Sequence, residues 1–152
     1  IAQQFKKHTI KRRYLALVEG GMDREEGVIR GYLHKSPLLK GGKKVKLASP
    51  ASGQRAETRW RLLERYQDAS LVEVTLNTGR THQIRVHMAS IGHPVVGDRV
   101  YGRGGVEGGI RRQALHASYL GFHHPITGDK MEFESKLPRD LKRLVDRLRM
   151  NV

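Results

Sequence analysis

Alternating apolar and polar positions predict a β-hairpin in the middle of the chain. In ETRWRLLERY (57–66) arginines alternate with apolar or small residues, and SLVEVTL (70–76) repeats the alternation. Side chains of a strand point to opposite faces in turn, so each run can bury one face. The short QDA turn between the runs makes them an antiparallel pair. The residues expected to face inward are Thr58, Trp60, Leu62, Val72, Val74 and Leu76.

More strands are predicted on both sides of this hairpin. Each candidate is rich in β-branched, aromatic or other apolar residues and is bounded by turn-forming residues. The last two candidates flank HHPITGD, which predicts a second hairpin. The segments are YLALVEG (14–20), GVIRGYLHK (27–35), KKVKLAS (43–49), ALHASYLGF (114–122) and KMEFESK (130–136).

Two segments have helical periodicity instead. In THQIRVHMASIG (81–92), Thr81 is the expected N-cap and Gly92 the expected stop. PRDLKRLVDRLRM (138–150) opens with a proline, which suits the first turn of a helix. The predicted apolar stripes are Ile84, His87, Met88 and Ile91 in the first helix, and Leu141, Leu144, Val145 and Leu148 in the second.

Together these elements predict an α+β domain, a mostly antiparallel mixed sheet with a few flanking helices. At 152 residues and 38% hydrophobic content, the chain can bury one core and is short for two, so residues 1–152 are expected to form a single domain. IAQQF (1–5) is expected to end a third helix, and GRGGVEGG (102–109) to form a flexible loop.

Charge narrows the class of partner. The chain has 29 Lys and Arg against 15 Asp and Glu, a net charge of +14. A folded domain with this imbalance attracts polyanions, and no basic amphipathic helix with bulky aromatics is present to favour a membrane surface. Nucleic acid is therefore the expected partner, with RNA and DNA both open, although any single cluster could be a solvated face. The clusters are KKHTIKRR (6–13), KGGKKVK (40–46), RAETRWRLLER (55–65) and GIRRQ (109–113).

Cysteine is absent, and the apolar runs are short. The chain therefore has neither a disulfide framework nor a thiolate metal site, and no membrane-spanning helix is expected. A chain without cysteine suits a reducing compartment, so the expected location is the cytoplasm.

Candidate chemistry concentrates in NTGRTHQIRVH (77–87), at a predicted strand-to-helix junction. Its glycine lets the backbone approach a ligand, and the helix start offers free N–H groups to an anion. Arg80 precedes the helix, and Arg85 follows His82 by three residues, so those two side chains share a face. An arginine here could bind phosphate or hold a carboxylate in a bidentate pair. The alternative is a helix whose polar side faces water.

Other kinds of site receive less support from the residues. His82, His87 and His93 suggest a metal, but the first two are five residues apart, about 140° around a helix axis. Binding one ion requires a spacing of four, so no metal is expected. Serine-nucleophile and phosphate-loop motifs are also missing from the sequence.

Asp98 has two possible roles. In GHPVVGDRVYG (92–102) it could place an acid beside Tyr101. The favoured interpretation is an aspartate that anchors its own loop, since aspartate often serves turns in this way.

Several motifs occur together in a recognisable order. TGRTHQIRVH (78–87) is followed by GHPVVGDRVYG (92–102) and QALHASYLGFHHPITG (113–128). Upstream lie KRRYLALVEG (11–20) and GQRAETRW (53–60). In this order, through nearly the whole chain, they resemble the RluA-type family of RNA pseudouridine synthases.

The resemblance implies an enzyme that isomerises uridine by breaking the glycosidic bond, rotating the uracil and rejoining it through carbon. The target nucleotide must first leave its stack. This chemistry needs no cofactor and no metal. The implied partner is structured RNA, ribosomal RNA of the large subunit first and transfer RNA as the alternative. A monomer without a membrane partner is expected.

The resemblance also implies roles for particular residues. Tyr14 matches a tyrosine that stacks on the flipped base and helps to remove its carbon-bound proton. Arg85 matches an arginine that pairs with the catalytic aspartate and keeps it ionised. Leu115 matches an apolar wall against the base. The other motif residues, expected to shape the pocket or meet phosphate, are Arg80, His82 and Gln83.

One family motif does not occur in the chain. The histidine-arginine-leucine-aspartate string that carries the catalytic aspartate is absent, and family order places it before Ile1. We therefore expect the C-terminal portion of a synthase, inactive alone, in which Arg85 lacks its partner and the sheet has either an unprotected edge or a partner outside this chain. The alternatives are a non-catalytic RNA-binding module that retains the base pocket, and an unrelated basic binding domain.

Overall fold

The computed structural model describes residues 10–36, 44–80, 82–102 and 110–150. Within these ranges the chain forms strands and two helices. In chain order they are β1 (Lys11–Glu19), β2 (Glu26–Ser36), β3 (Lys44–Ala48), β4 (Gln54–Arg65), β5 (Ala69–Leu76), α1 (Gln83–Ser90), β6 (Leu115–His123), β7 (Lys130–Glu134) and α2 (Arg139–Met150). Neither of these helices is long and apolar enough to cross a bilayer.

Three expectations fall outside the described residues. They are the helix end at 1–5, the loop at 102–109 beyond its first residue, and Thr81 as a helix N-cap. The residue at the N-cap position of α1 is His82.

The described strands form one sheet in the order β3-β2-β4-β5-β1-β6-β7. Each pairing between neighbours is antiparallel. The predicted central hairpin places Trp60 opposite Val74, and the second hairpin places Leu120 opposite Phe133. The predicted α+β class, with an antiparallel sheet and flanking helices, is confirmed.

One face of the sheet, here called the α1 face, carries Tyr14, Val74 and Trp60 in a row across β1, β5 and β4. Helix α1 packs on this face, and its Ile84 and Met88 share a buried cluster with Val74 and Trp60. Burying an aliphatic side chain of this size contributes about 1.5–3 kcal/mol. The residues predicted to face inward are buried as expected, apart from Leu62, which is half-buried at the margin of the cluster.

The opposite face, here called the far face, differs between its two ends. At one end the register aligns Leu17, Leu71 and Glu64, and α2 covers this end by packing its apolar stripe there and pairing Arg149 with Glu64. The predicted stripe of α2 is confirmed, because Leu141, Leu144 and Val145 are buried and Leu148 packs against them. Towards β2 the far face is rich in exposed arginines.

Helix α1 ends where the glycine signal predicts. Gly92 has φ +84°, a left-handed conformation that glycine adopts without steric cost. The N–H groups of Gly92 and His93 donate to the carbonyls of Ala89 and Met88, which is the Schellman arrangement. Ile91 is the exception to the predicted stripe: it is exposed, because it is the C-cap residue and lies beyond the last helical turn.

Candidate functional site

The junction between β5 and α1 is held together by the amide of Gln83. Its Oε1 accepts from the Thr78 hydroxyl (2.7 Å) and the Arg80 N–H (3.0 Å). Its Nε2 donates to the Glu57 carbonyl (2.8 Å) and to Thr58 Oγ1 (2.9 Å). The amide is buried and its hydrogen-bonding capacity is fully used within the protein. Gln83 can therefore shape the site by fixing the junction, but it has no group left for a ligand.

The chain of hydrogen bonds continues to His87. Thr58 Oγ1 accepts from Gln83 and shares a hydrogen bond with His87 Nδ1 at 2.7 Å. His87 Nε2 is buried without a partner in the described part of the chain. Burial lowers the pKa of His87 to about 4. A histidine predicted to join an apolar stripe is thus a neutral core residue.

Replacing His87 by asparagine should flatten the acid dependence of stability. The folded pKa of about 4 lies below the ordinary 6.5, so the unfolded chain binds the proton first as pH falls. The stabilising effect is complete above pH 6.5 and is lost towards pH 4, by about 3 kcal/mol for this group. In His87→Asn, the side-chain amide can still hydrogen-bond to Thr58, but nothing titrates.

Urea denaturation of both proteins from pH 7.5 to pH 4 measures this effect. The difference in unfolding free energy between wild type and His87→Asn should shrink steadily as pH falls through this window. His34→Asn is the matched control, since His34 is exposed. Curves that stay parallel for wild type and His87→Asn would show that folding does not lower the pKa of His87.

Arg85 and Asp98 form the main charged pair of the junction. Arg85 Nε lies 2.7 Å from Asp98 Oδ2, and Nη2 lies 2.9 Å from Oδ1, so the pair is bidentate. The Arg85 side chain is 12% exposed and that of Asp98 is fully buried. The expectation that Arg85 lacks a partner is wrong. Its guanidinium is compensated by Asp98, an acid that the sequence motif does not identify as a partner.

Asp98 also anchors the loop that follows it. Its Oδ1 accepts from the backbone N–H groups of Val100 (3.0 Å) and Tyr101 (3.1 Å). Burial alone would raise the pKa of this carboxyl, but the hydrogen bonds from Arg85 and the two N–H groups outweigh it, and the pKa lies below its ordinary value. Both oxygens are occupied and inaccessible, which favours the anchoring role over the role of an attacking acid.

His82 begins α1 in a left-handed conformation, with φ 54°. Non-glycine residues adopt this region at a cost, and only where contacts hold them. Tyr101 supplies the contact: its hydroxyl accepts from the Val45 N–H (2.8 Å) and lies 2.7 Å from His82 Nδ1. Burial, and then the Arg85 charge, lower the pKa of His82, so the ring is neutral and can accept at Nδ1 from Tyr101.

Tyr14 and Leu115 lie on neighbouring strands. Tyr14 pairs with Ala117, and Ala16 pairs with Leu115. The side chains of Tyr14 and Leu115 therefore both project from the α1 face, in neighbouring rows of that face. Each is half-buried and packs against the main core cluster. Arg85 reaches the same side of the sheet on α1. No hydrogen bond or ring contact joins Tyr14 to Arg85 in the described residues.

The three histidines considered for metal binding have different partners. His93 Nδ1 donates to the Glu19 carbonyl at 2.7 Å, while His82 and His87 bond to Tyr101 and Thr58 respectively. Across residues 10–36, 44–80, 82–102 and 110–150, no three acid, histidine or cysteine side chains lie together as ligands for one ion.

Arg80 lies at the margin of the junction. Its Nε donates to the Arg55 carbonyl at 2.8 Å, so its guanidinium is held over the start of β4. Of the residues assigned from the motif, Arg80, His82 and Arg85 are brought to one junction, while Tyr14 and Leu115 line the strands beside it.

Comparison with known proteins places this junction in a family. Residues 1–90, more than half of the chain, match the family model described as RNA pseudouridylate synthase. The chain belongs to this family. The predicted resemblance is confirmed, and the synthase motif at 78–87 lies within the matched range.

Individual relatives agree with the family match. A ribosomal large subunit pseudouridine synthase D of Zymomonas mobilis is 42% identical over 151 residues, covering 95% of this chain and 47% of that protein. An uncharacterized RNA pseudouridine synthase of Bacillus subtilis is 42% identical over 153 residues, covering 99% of this chain and 48% of that protein. The chain therefore spans about half the length of these curated relatives.

A solved structure shares the fold. Human RNA pseudouridylate synthase domain containing 1 superposes with a TM-score of 0.75 at 27% identity, covering 97% of this chain and 69% of that one. The antiparallel sheet and the junction described above therefore belong to a synthase domain fold.

Proposed function

We propose that the full-length protein containing this chain isomerises uridine to pseudouridine in structured RNA. The N1–C1′ bond of the nucleotide breaks, a C5–C1′ bond forms, the C5 hydrogen is released and N1 gains a proton. Large-subunit ribosomal RNA is the proposed substrate, with transfer RNA as the alternative, and the enzyme is proposed to act as a cytoplasmic monomer without metal or cofactor. Support comes from the family match and the synthase D relatives.

The observation that carries the proposal is the way Arg85 is held. Asp98 occupies Nε and Nη2 of the guanidinium, and no hydrogen bond to Nη1 is present among the described residues. A guanidinium has five N–H donors, so Nη1 can pair with a second carboxylate while Asp98 keeps the group fixed. In the family this second carboxylate is the catalytic aspartate, which we assign to sequence outside this chain.

Tyr14 is the proposed acceptor of the C5 proton. Its ring offers a face on which the base can stack, and its hydroxyl a site for the proton. The half-buried position on the α1 face suits both tasks, because the side chain packs against the core and still remains partly accessible. Leu115, on the neighbouring strand, supplies an apolar wall beside it.

Replacing Tyr14 by phenylalanine in the full-length protein should separate the two tasks. The variant keeps the stacking ring and loses the hydroxyl, so RNA affinity should stay within a factor of two while turnover falls by about 10²–10⁴. The assay is tritium release from ribosomal RNA labelled at C5 of uridine, with filter binding for affinity. Tyr32→Phe is the control, since Tyr32 lies on β2 away from the α1 face.

The same assay tests the function itself. Tritium release by the full-length protein and none by the 152-residue chain would support a synthase whose nucleophile lies outside this chain. Silence from both with RNA binding intact would leave a non-catalytic RNA-binding module. Release by the short chain would contradict the assignment of the nucleophile, and wild-type turnover in Tyr14→Phe would contradict the assignment of the proton acceptor.

A further inference from the structure

The far face carries a buried carboxylate surrounded by arginines. Glu57 Oε2 accepts from Arg30 Nε (3.0 Å) and Arg55 Nη2 (3.4 Å). Its Oε1 accepts from Asn77 Nδ2 (2.6 Å) and lies 3.3 Å from Arg59 Nε. Hydrogen bonds from Arg30 and Asn77 lower the pKa of Glu57, so it is ionised at neutral pH. These five residues are called the Glu57 cluster below.

The charges of the Glu57 cluster do not balance. Three guanidinium groups share one carboxylate, which leaves a net charge of +2 on a small area. The Glu57 side chain is only 7% exposed, whereas those of Arg30, Arg55 and Arg59 are 64%, 64% and 52% exposed. The carboxylate is thus the floor of the cluster, and the guanidinium groups form its surface.

Other arginine pairs of the described surface are arranged differently. Arg61 pairs with Glu73, and Arg112 makes a bidentate pair with Asp140, in each case one cation for one acid. Such pairs neutralise charge locally. A group of three cations around one acid repels itself, and a bound polyanion would relieve that repulsion.

The Glu57 cluster adjoins the junction that begins α1. Asn77, which bonds to Glu57, lies in the turn after β5, and the Glu57 N–H donates to Thr78 Oγ1 in the same turn. Arg80 Nε donates to the carbonyl of Arg55, so its guanidinium extends the positive surface towards the α1 face. A continuous basic surface therefore passes around the edge of this turn.

We infer that the Glu57 cluster binds the phosphodiester backbone of the RNA substrate, outside the base pocket. Guanidinium groups bind phosphate through paired N–H donors, and they do so best when their orientation is set in advance. Glu57 sets it: by holding Nε of two arginines and Nη2 of a third, it directs their remaining N–H groups outwards. The inference rests on the proposed function, because RNA is the polyanion that the family modifies.

Replacing Glu57 by glutamine gives a test in which two explanations predict opposite changes in RNA affinity. The substitution raises the net charge by one, so attraction to RNA by charge alone predicts tighter binding. Loss of the ordered arginines predicts the reverse, and we expect affinity for a large-subunit ribosomal RNA fragment to fall about tenfold. The measurement is filter binding by the full-length protein at fixed salt. Tighter or unchanged binding would overturn the inference.

A second measurement does not depend on the folding of a buried variant. Arg30 and Arg59 are exposed, so Arg30→Gln and Arg59→Gln should fold normally. Removing one arginine that neutralises a phosphate should reduce the slope of log affinity against log salt by about 0.7–0.9. The control is Arg149→Gln, which should leave the slope unchanged, because Arg149 lies on α2 and pairs with Glu64 of β4. Equal slopes in all four proteins would also overturn the inference.

Binding and turnover fail independently in this design. Filter binding requires no chemistry, so RNA that binds with the expected salt dependence but releases no tritium would contradict the proposed function alone. Normal tritium release together with wild-type binding in Glu57→Gln would contradict the phosphate site alone.

Discussion

Asp98→Asn is expected to lower the free energy of unfolding by about 3–5 kcal/mol, the cost typical of breaking one partner of a buried ion pair. The asparagine Oδ1 can still accept from the N–H groups of Val100 and Tyr101, so the loop keeps its anchor. Its amide, however, places N–H groups against Arg85, whose side chain is only 12% exposed. The buried guanidinium is left without a counter-charge, and urea denaturation at pH 7 measures the loss.

The chain offers a matched control for this substitution. Arg112 and Asp140 form a pair with the same bidentate geometry, at 2.9 and 3.1 Å, but their side chains are 40% and 46% exposed. Asp140→Asn should therefore cost less than about 1 kcal/mol, since water and salt screen an exposed pair. Equal losses for the two substitutions would show that burial does not govern the Arg85–Asp98 pair.

The second large effect is on turnover, and it requires a double variant. Arg85→Met alone leaves the Asp98 carboxylate buried and unpaired, so a loss of activity could reflect unfolding. Combining Arg85→Met with Asp98→Asn removes both charges while keeping an acceptor for the loop. The double variant should recover most of the stability lost in either single variant, because replacing a buried pair by uncharged groups of similar size is often neutral.

Turnover should not recover with stability. In the full-length protein the proposed catalytic aspartate would lose the guanidinium that keeps it ionised and oriented, and tritium release should fall by about 10²–10³. The readouts are the double-mutant cycle in urea and single-turnover tritium release at saturating RNA. A folded double variant with wild-type turnover would rule out pairing between Arg85 and the nucleophile, and would leave Arg85 as a structural partner of Asp98.

The two charged centres of the domain use arginine in opposite ways. Asp98 holds one buried arginine on the α1 face, and the geometry leaves one edge of the guanidinium for a single further carboxylate. Glu57 holds three exposed arginines on the far face, and their outward N–H groups suit a repeating anion. We therefore propose that guanidinium groups serve precise positioning in one place and extended phosphate contact in the other.

Periodicity along the sequence was sufficient to predict the strands and helices. The alternation in 57–66 and 70–76 predicts which side chains are buried, because a strand has only two faces. The helical stripe of α2 was equally clear. The stripe predicted for α1 was wrong at Ile91. Gly92 ends the helix there, and helical periodicity does not apply beyond the last turn. The site motif was also readable, because glycine, arginine and histidine at a strand-to-helix junction are an uncommon combination.

Contacts between residues far apart in the chain could not be predicted from local periodicity. Asp98 lies thirteen positions from Arg85, and Glu57 lies twenty from Asn77, so no local pattern links either pair. Gln83 was expected to shape the pocket or to meet phosphate, and the fold turns its amide into the junction, where all of its hydrogen-bonding capacity is used. The sequence alone determined the family, the strands and helices, and the residues gathered at the junction, because these depend on local periodicity and contiguous motifs. Only the tertiary structure decided which charges meet, because that depends on sheet register and burial, which bring together residues far apart in the chain.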